Sequence, residues 1–142
     1  MAEDRLAASL LALGGWLYRV GGRLMAPLGL SQQESVILLS VARRGPVSQK
    51  ELRSDLLLER SNVSKAVNRL ESVGLFTTGP ALTDARVVLV RATPAGVELA
   101  ERCGQVYREW NRRWLGEVDG QRLTEVASWL DELRRHEPRA GL

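Results

Sequence analysis

The stretch ERSNVSKAVNRLESVG, residues 59–74, decides how the rest of the chain is read. Its apolar residues fall at Val63, Ala66, Val67, Leu70 and Val73, the spacing of one face of an α-helix. The outer faces carry Ser61, Asn62, Ser64, Lys65, Asn68 and Arg69, with Arg60 just ahead, and no acidic residue lies between Arg60 and Leu70. Short polar side chains let a helix backbone come close to a duplex, and Asn, Ser, Lys and Arg can meet base edges and phosphates. A solvated surface helix is also polar outside, so this stretch alone leaves both readings open. Gly74 stands where a C′ glycine ends a helix.

The flanks place that helix in a unit. Upstream, Ser48-Gln49-Lys50-Glu51 is a capping-box pattern, and a short helix is expected from about Gln49 to Leu56 with Leu52 and Leu56 inward. A tight turn at Leu57-Leu58 then leads into the polar helix. Two short helices joined by a tight turn make a helix-turn-helix. Leu57 occupies the turn position where a glycine would be comfortable. Downstream, Leu75-Phe76-Thr77-Thr78 can begin a strand, 79–85 reads as a loop, and Arg86-Val87-Val88-Leu89-Val90-Arg91-Ala92 is the strongest β-run in the chain. A hairpin directly after the polar helix is the layout of a winged helix.

Further out, Ser31-Gln32-Gln33-Glu34 is another capping box, opening a helix that stops at Arg43-Arg44-Gly45-Pro46. Before it, Leu6 to about Ala26 keeps helical spacing and is broken by Pro27. Two glycine pairs interrupt this first helix, Gly14-Gly15 and Gly21-Gly22. Each glycine costs about 1 kcal/mol against Ala in a helix interior, so either a close approach or a kink is expected there. Thr93-Pro94 starts a long helix to about Leu115, with Thr as N-cap and Pro at N1. A last helix runs from about Gln121 to Arg135, and the tail from His136 to Leu142 is expected to fray.

Bulk properties set the bounds. A chain of 142 residues with 44% hydrophobic content is expected to be one domain, or one compact domain with an extra helical part, with a real core. A net charge of +3 and a pI near 9.6 lean mildly towards a polyanionic partner. The positive charge is nearly all Arg, Lys50 and Lys65 being the lysines. One cysteine, Cys103, excludes an internal disulfide framework and fits a reducing, cytoplasmic setting. No stretch approaches the roughly 20 apolar residues of a membrane span, and the acidic start Met-Ala-Glu-Asp-Arg is unlike a secretory signal. No partnership with a membrane is expected.

From about Leu30 to Gly96 the chain resembles the MarR family of bacterial transcriptional regulators. The similarity rests on Gly29-Leu30-Ser31 before the second helix, the helix-turn-helix, the run from Arg69 to Leu75, and Asp84-x-Arg86 followed by Val88, Val90, Thr93 and Gly96. Ala92 stands where the family usually has Leu. The resemblance implies a mainly α fold with a small β-wing: a winged helix-turn-helix lobe over 31–93, and dimerisation helices at 1–28 and 94–137, in a single MarR-like domain. It also implies a homodimer with the polar helix in the major groove, Arg86 as the wing-tip arginine in the minor groove and Asp84 holding the tip. The physics agrees, because a narrow minor groove concentrates negative potential and attracts arginine. Two half-sites about one helical turn apart would follow. One departure stands out: no basic residue lies between Arg69 and Arg86. The wing should neutralise fewer phosphates, which shifts the load to Lys65, Arg69 and Arg60.

Other chemistry finds little support. Cys103 sits among core-spaced residues, and no second cysteine is present to resolve a sulfenate. His136 is the sole histidine and lies in the tail, so no zinc set or catalytic triad can be assembled. No cofactor, metal or enzymatic role is expected. Trp16, Tyr18, Tyr107 and Trp110, with Trp114, come from the first and fifth helices. They are the candidate lining of a small-molecule pocket of the kind relatives use for amphipathic, often aromatic, effectors; packing of the dimer core is the competing reading. The reading is therefore a homodimeric, double-stranded DNA-binding repressor on a pseudo-palindromic operator, relieved by a small ligand. The alternatives are a winged-helix protein-interaction module with weak DNA binding and a Cys103 redox-sensing regulator.

Overall fold

In the computed structural model, which describes residues 1–135, helix α1 spans Ala2–Met25, starting earlier than the Leu6 expected. Glu3 and Asp4 lie in its first turn, where negative charge complements the helix dipole, and both carboxylates accept from the Met1 ammonium at 3.2 Å. The glycine pairs leave α1 unbroken. Gly21 is buried, and a Cβ there would meet Gln32 Cγ at 2.5 Å and the Tyr107 hydroxyl at 3.5 Å. Close approach is thus the reason for that glycine, while a Cβ on Gly14 or Gly22 would meet nothing within 4 Å.

A 3-10 turn, Ala26–Leu28, ends at Gly29 in the left-handed region, φ 75°. Helix α2, Gln32–Arg44, follows with both halves of the Ser31–Glu34 capping box formed. Strand β1 is the pair Val47–Ser48, and α3 is Gln49–Leu56. Only half of the second capping box forms: Ser48 Oγ accepts from the Glu51 amide at 3.1 Å. The Glu51 carboxylate instead receives Arg44 Nη2 at 3.1 Å, and Asp55 takes the other end of the same guanidinium. Leu57 ends α3 at φ 52°, the position marked for a glycine.

Helix α4 is Arg60–Ser72, and Gly74 follows at φ 81° as the C′ residue. Strands β2, Phe76–Pro80, and β3, Val88–Ala92, form the hairpin. The sheet is antiparallel in the order β1-β3-β2, with Val47 opposite Val90, Phe76 opposite Ala92 and Pro80 opposite Val88. The expected boundaries shift here. Gly79 and Pro80 belong to β2, an edge strand that tolerates a proline. Arg86 and Val87 belong to the loop, because their amides turn inward to Asp84 Oδ1 and to the Asp84 carbonyl, both at 3.0 Å. Strand β1 is not among the elements expected from the sequence.

Helix α5, Pro94–Leu115, is capped by Thr93, whose Oγ1 accepts from the Gly96 amide at 3.1 Å and donates to the Gly74 carbonyl at 2.7 Å. Helix α6 is Gly120–Arg135. The chain divides into two compact units, Met1–Tyr107 and the residues from Arg108 onward. The core of the first unit joins Met25 of α1, Ile37, Leu38 and Val41 of α2, Leu52 of α3, Val63, Val67 and Leu70 of α4, Phe76 and Val90 of the hairpin, and Ala100 and Cys103 of α5. In the second unit, Trp110 and Trp114 meet one turn apart with ring centroids at 5.0 Å and planes tilted by 37°. The tail from His136, expected to fray, lies outside the described residues.

Candidate nucleic-acid interface

Helix α4 turns Val63, Ala66, Val67 and Leu70 into the core. That fixes its opposite side, where Arg60, Ser61, Asn62, Lys65 and Asn68 are exposed and Ser64 is half-buried. These side chains are short or flexible, and none between Arg60 and Leu70 is acidic. The turn before α4 is held by the Leu58 amide donating to the Arg53 carbonyl at 3.2 Å. Arg44, gripping both Glu51 and Asp55, fastens α3 to the end of α2.

Arg69, expected among the outward-facing residues, is exposed there with its side chain 47% accessible, and it is also bonded to other parts of the protein. Its Nη1 donates to Glu34 Oε2 at 2.5 Å and its Nη2 to the Gly29 carbonyl at 3.0 Å. Glu34 is only 8% exposed, and a nearly buried carboxylate needs hydrogen-bonded, charged company. Its other oxygen, Oε1, accepts from the Ser31 amide at 2.8 Å. The capping box occupies one oxygen of Glu34, and Arg69 takes the other.

The wing tip is built on Asp84. Its carboxylate accepts from the Arg86 amide at 3.0 Å, from Arg86 Nε at 3.2 Å and from Arg86 Nη2 at 3.3 Å. The Arg86 side chain nonetheless remains 91% exposed. The guanidinium, and then the Arg86 amide, hold the Asp84 carboxyl below its usual pKa. Strand β2 is tied to α4 by Thr78 Oγ1 donating to Glu71 Oε2 at 3.1 Å. Apolar side chains are also exposed at the tip: Leu82 fully, with Val87 and Val88 beside it.

The candidate ligand residues are not alike. Tyr107 is half-buried, and its hydroxyl lies 2.6 Å from Ser35 Oγ. Ser35 donates its own proton to the Gln32 carbonyl at 2.6 Å, so Tyr107 is the donor to Ser35. Burial pushes the Tyr107 phenol above its ordinary pKa. Trp16 and Tyr18 are on α1 and both partly exposed, while Trp110 lies in the second unit against Trp114. Cys103 is fully buried, and that burial raises its thiol pKa against the smaller opposing pull of Arg102. This is the environment of an inert core cysteine. Among the described residues no group of His, Cys, Asp and Glu could hold a metal ion, and no helix is long and apolar enough to cross a membrane.

Comparisons with known proteins bear on this geometry. The sequence profile of the MarR family matches residues 28–86. Over 121 residues the chain is 31% identical to the HTH-type transcriptional repressor IacR of Pseudomonas putida, spanning 78% of this chain and 72% of that protein. CouR from Rhodococcus jostii RHA1, solved bound to p-coumaroyl-CoA, superposes with a TM-score of 0.83 at 19% identity, covering 100% of this chain and 99% of that one. A cysteine-to-serine mutant of MarR from E. coli, solved complexed with operator DNA, superposes with a TM-score of 0.78 at 19% identity, covering 91% and 93%. The two structural likenesses establish the winged-helix fold.

Proposed function

This chain belongs to the MarR family of transcriptional regulators, and from that premise we propose that it is a homodimeric repressor that binds a pseudo-palindromic operator in duplex DNA. The observation that carries the proposal is the two-sidedness of α4. Val63, Ala66, Val67 and Leu70 of its apolar stripe are buried, with Val73 exposed just past its last turn, while its exposed Ser61, Asn62, Lys65 and Asn68 form a cationic, hydrogen-bonding surface without an acid. With Ser64, these residues would meet the major groove. Arg60 would contact phosphate, and Arg86, set by Asp84, would enter the minor groove. The complex of the E. coli MarR mutant with operator DNA, a protein of the same fold, supports this reading.

Dimerisation is supported by apolar surface left uncovered on single elements. Val126, Trp129, Leu130 and Leu133 lie on one face of α6 and are 36–47% exposed. Leu10, Leu13 and Trp16 of α1 are exposed at the same level. The dimer would act in the cytoplasm and occlude a promoter from polymerase. A small amphipathic or aromatic ligand would relieve it by favouring a spacing of the two recognition helices that fits DNA poorly. CouR, bound to p-coumaroyl-CoA, is a relative in which such a ligand is seen. Trp16, Tyr18 and Trp110 are the proposed aromatic contacts. Tyr107, whose hydroxyl is held by Ser35, would contribute its ring.

The test is a selection of bound fragments from random duplex DNA at near-physiological salt, read by sequencing. A palindromic motif with half-sites one turn apart is expected. A featureless pool, with binding that vanishes at moderate salt, would overturn the reading in favour of a winged-helix module that binds protein partners.

A further inference from the structure

Helix α4 rests on the core through Val63, Ala66, Val67 and Leu70. Burial of this stripe sets which side of the helix faces outward, and directional bonds then set its fine rotation and axial position. Two directional side-chain ties act on its C-terminal half. Glu71 accepts from Thr78, but Thr78 belongs to the wing hairpin that follows α4 in the chain. The Arg69 fork instead ties α4 to the helices ahead of it. It reaches the Glu34 carboxylate at 2.5 Å and the Gly29 carbonyl at 3.0 Å, both at the junction between α1 and α2. Gly29 is held there by its amide donating to the Ala26 carbonyl at 3.0 Å, and Glu34 is held by its bond to the Ser31 amide. Both acceptors are therefore held in place, and Glu34 is nearly buried.

We infer that Arg69 is a positioning residue, which sets the register of the recognition helix through Glu34 and Gly29 and does not itself contact DNA phosphate. This rests on the DNA-binding reading above. Asn62, Lys65 and Asn68 share the rigid helix with Arg69, so a small rotation of α4 moves all of them against the base edges. A planar guanidinium can hold two acceptors in fixed geometry, which an ammonium cannot.

The two possible roles differ in sign. A phosphate-contacting Arg69 contributes to counterion release, and its loss flattens the log–log salt dependence by about 0.9. A positioning Arg69 changes affinity at every salt concentration and leaves the slope alone. Replacing Glu34, an anion, would by simple electrostatics tighten binding to a polyanion. If Glu34 acts through Arg69, its replacement weakens binding.

The experiment measures affinity for the selected duplex against salt for the full chain and for Arg69→Gln, Arg69→Lys, Glu34→Gln and the Arg69→Gln/Glu34→Gln double variant. Thermal unfolding of each is measured alongside. Expected are losses on the order of tenfold for Arg69→Gln and for Glu34→Gln, unchanged slopes, a double variant no worse than either single, partial rescue by lysine, and non-additive unfolding. A flattened slope for Arg69→Gln, tighter binding by Glu34→Gln, or additive unfolding effects would each overturn the positioning role while leaving DNA binding intact. An unaltered protein that binds no duplex would remove both readings.

Discussion

The backbone carbonyl of Leu75 lies where a side chain on residue 96 would begin: a Cβ added to Gly96 would overlap it. The same oxygen accepts from the Thr93 amide at 3.0 Å, so it is held against α5 and cannot withdraw. Gly96→Ala should destabilise the fold by about 1–3 kcal/mol, the range for overpacking a tight contact. Denaturant unfolding would show this as a lower midpoint, and Ala95→Gly, one residue away on an exposed position, should cost only the usual helix-propensity difference.

Leu57 should be better as a glycine. It holds φ 52° and is 55% exposed, and a left-handed conformation costs a Cβ-bearing residue roughly 1–2 kcal/mol. Part of that gain is returned as the extra chain entropy of glycine. Leu57→Gly should therefore raise stability by about 0.5–1 kcal/mol, read as a higher urea midpoint, while Leu57→Ala should give no gain.

Cys103 should behave as a core residue and not as an oxidant sensor. Its side chain is fully buried and its thiol pKa is raised, so little thiolate is present at neutral pH. Alkylation by iodoacetamide at pH 8 should follow unfolding and be negligible in the native protein. Peroxide should leave DNA affinity unchanged, in Cys103→Ala as in the unaltered chain.

The wing should add little to salt dependence, and this can be engineered in both directions. Arg86→Ala should flatten the log–log slope of DNA binding by about 0.9. Leu82 is fully exposed at the tip, and Leu82→Lys should steepen the slope by a similar amount without affecting stability. Equal slopes across the three proteins would show that the wing does not meet phosphate.

Asp84 titrates below its ordinary value of 3.8 because the Arg86 side chain and then the Arg86 amide favour its charged form. The contribution of this contact is complete above 3.8 and is lost as pH falls through the lowered pKa. Wing order should thus be insensitive to pH near neutrality. Carboxyl NMR should place Asp84 below the ordinary aspartate range, and Arg86→Ala should move it upward.

Features set by local chemistry were legible in the sequence. Ser31, Ser48 and Thr93 cap helices because their hydroxyls lie three residues before an amide that needs an acceptor, and Gly74 and Leu57 mark left-handed ends for reasons contained within one turn. Features that depend on distant partners were not legible. Val47–Ser48 is too short for any periodicity and becomes a strand only by pairing with Val90 and Leu89. Arg69 is polar and cationic like its neighbours Lys65 and Asn68. Its different role comes from Glu34, 35 residues away. The bond between the Tyr107 hydroxyl and Ser35, 72 residues apart, is likewise invisible in the sequence.

Ser48 belongs to β1 by its pairing with Leu89 and to α3 by its cap on Glu51. No connecting residue separates the strand from the helix. One inserted residue at this joint would rotate α3 by about 100° about its axis relative to the sheet, taking Leu52 out of the core. Length variation among homologues should therefore be forbidden between 47 and 50 and collect at the wing tip, 81–87, where an added residue only lengthens a loop. The same joint is a crank in outline: torque applied to the hairpin would pass through β1 to α3 with no connecting residue to absorb it.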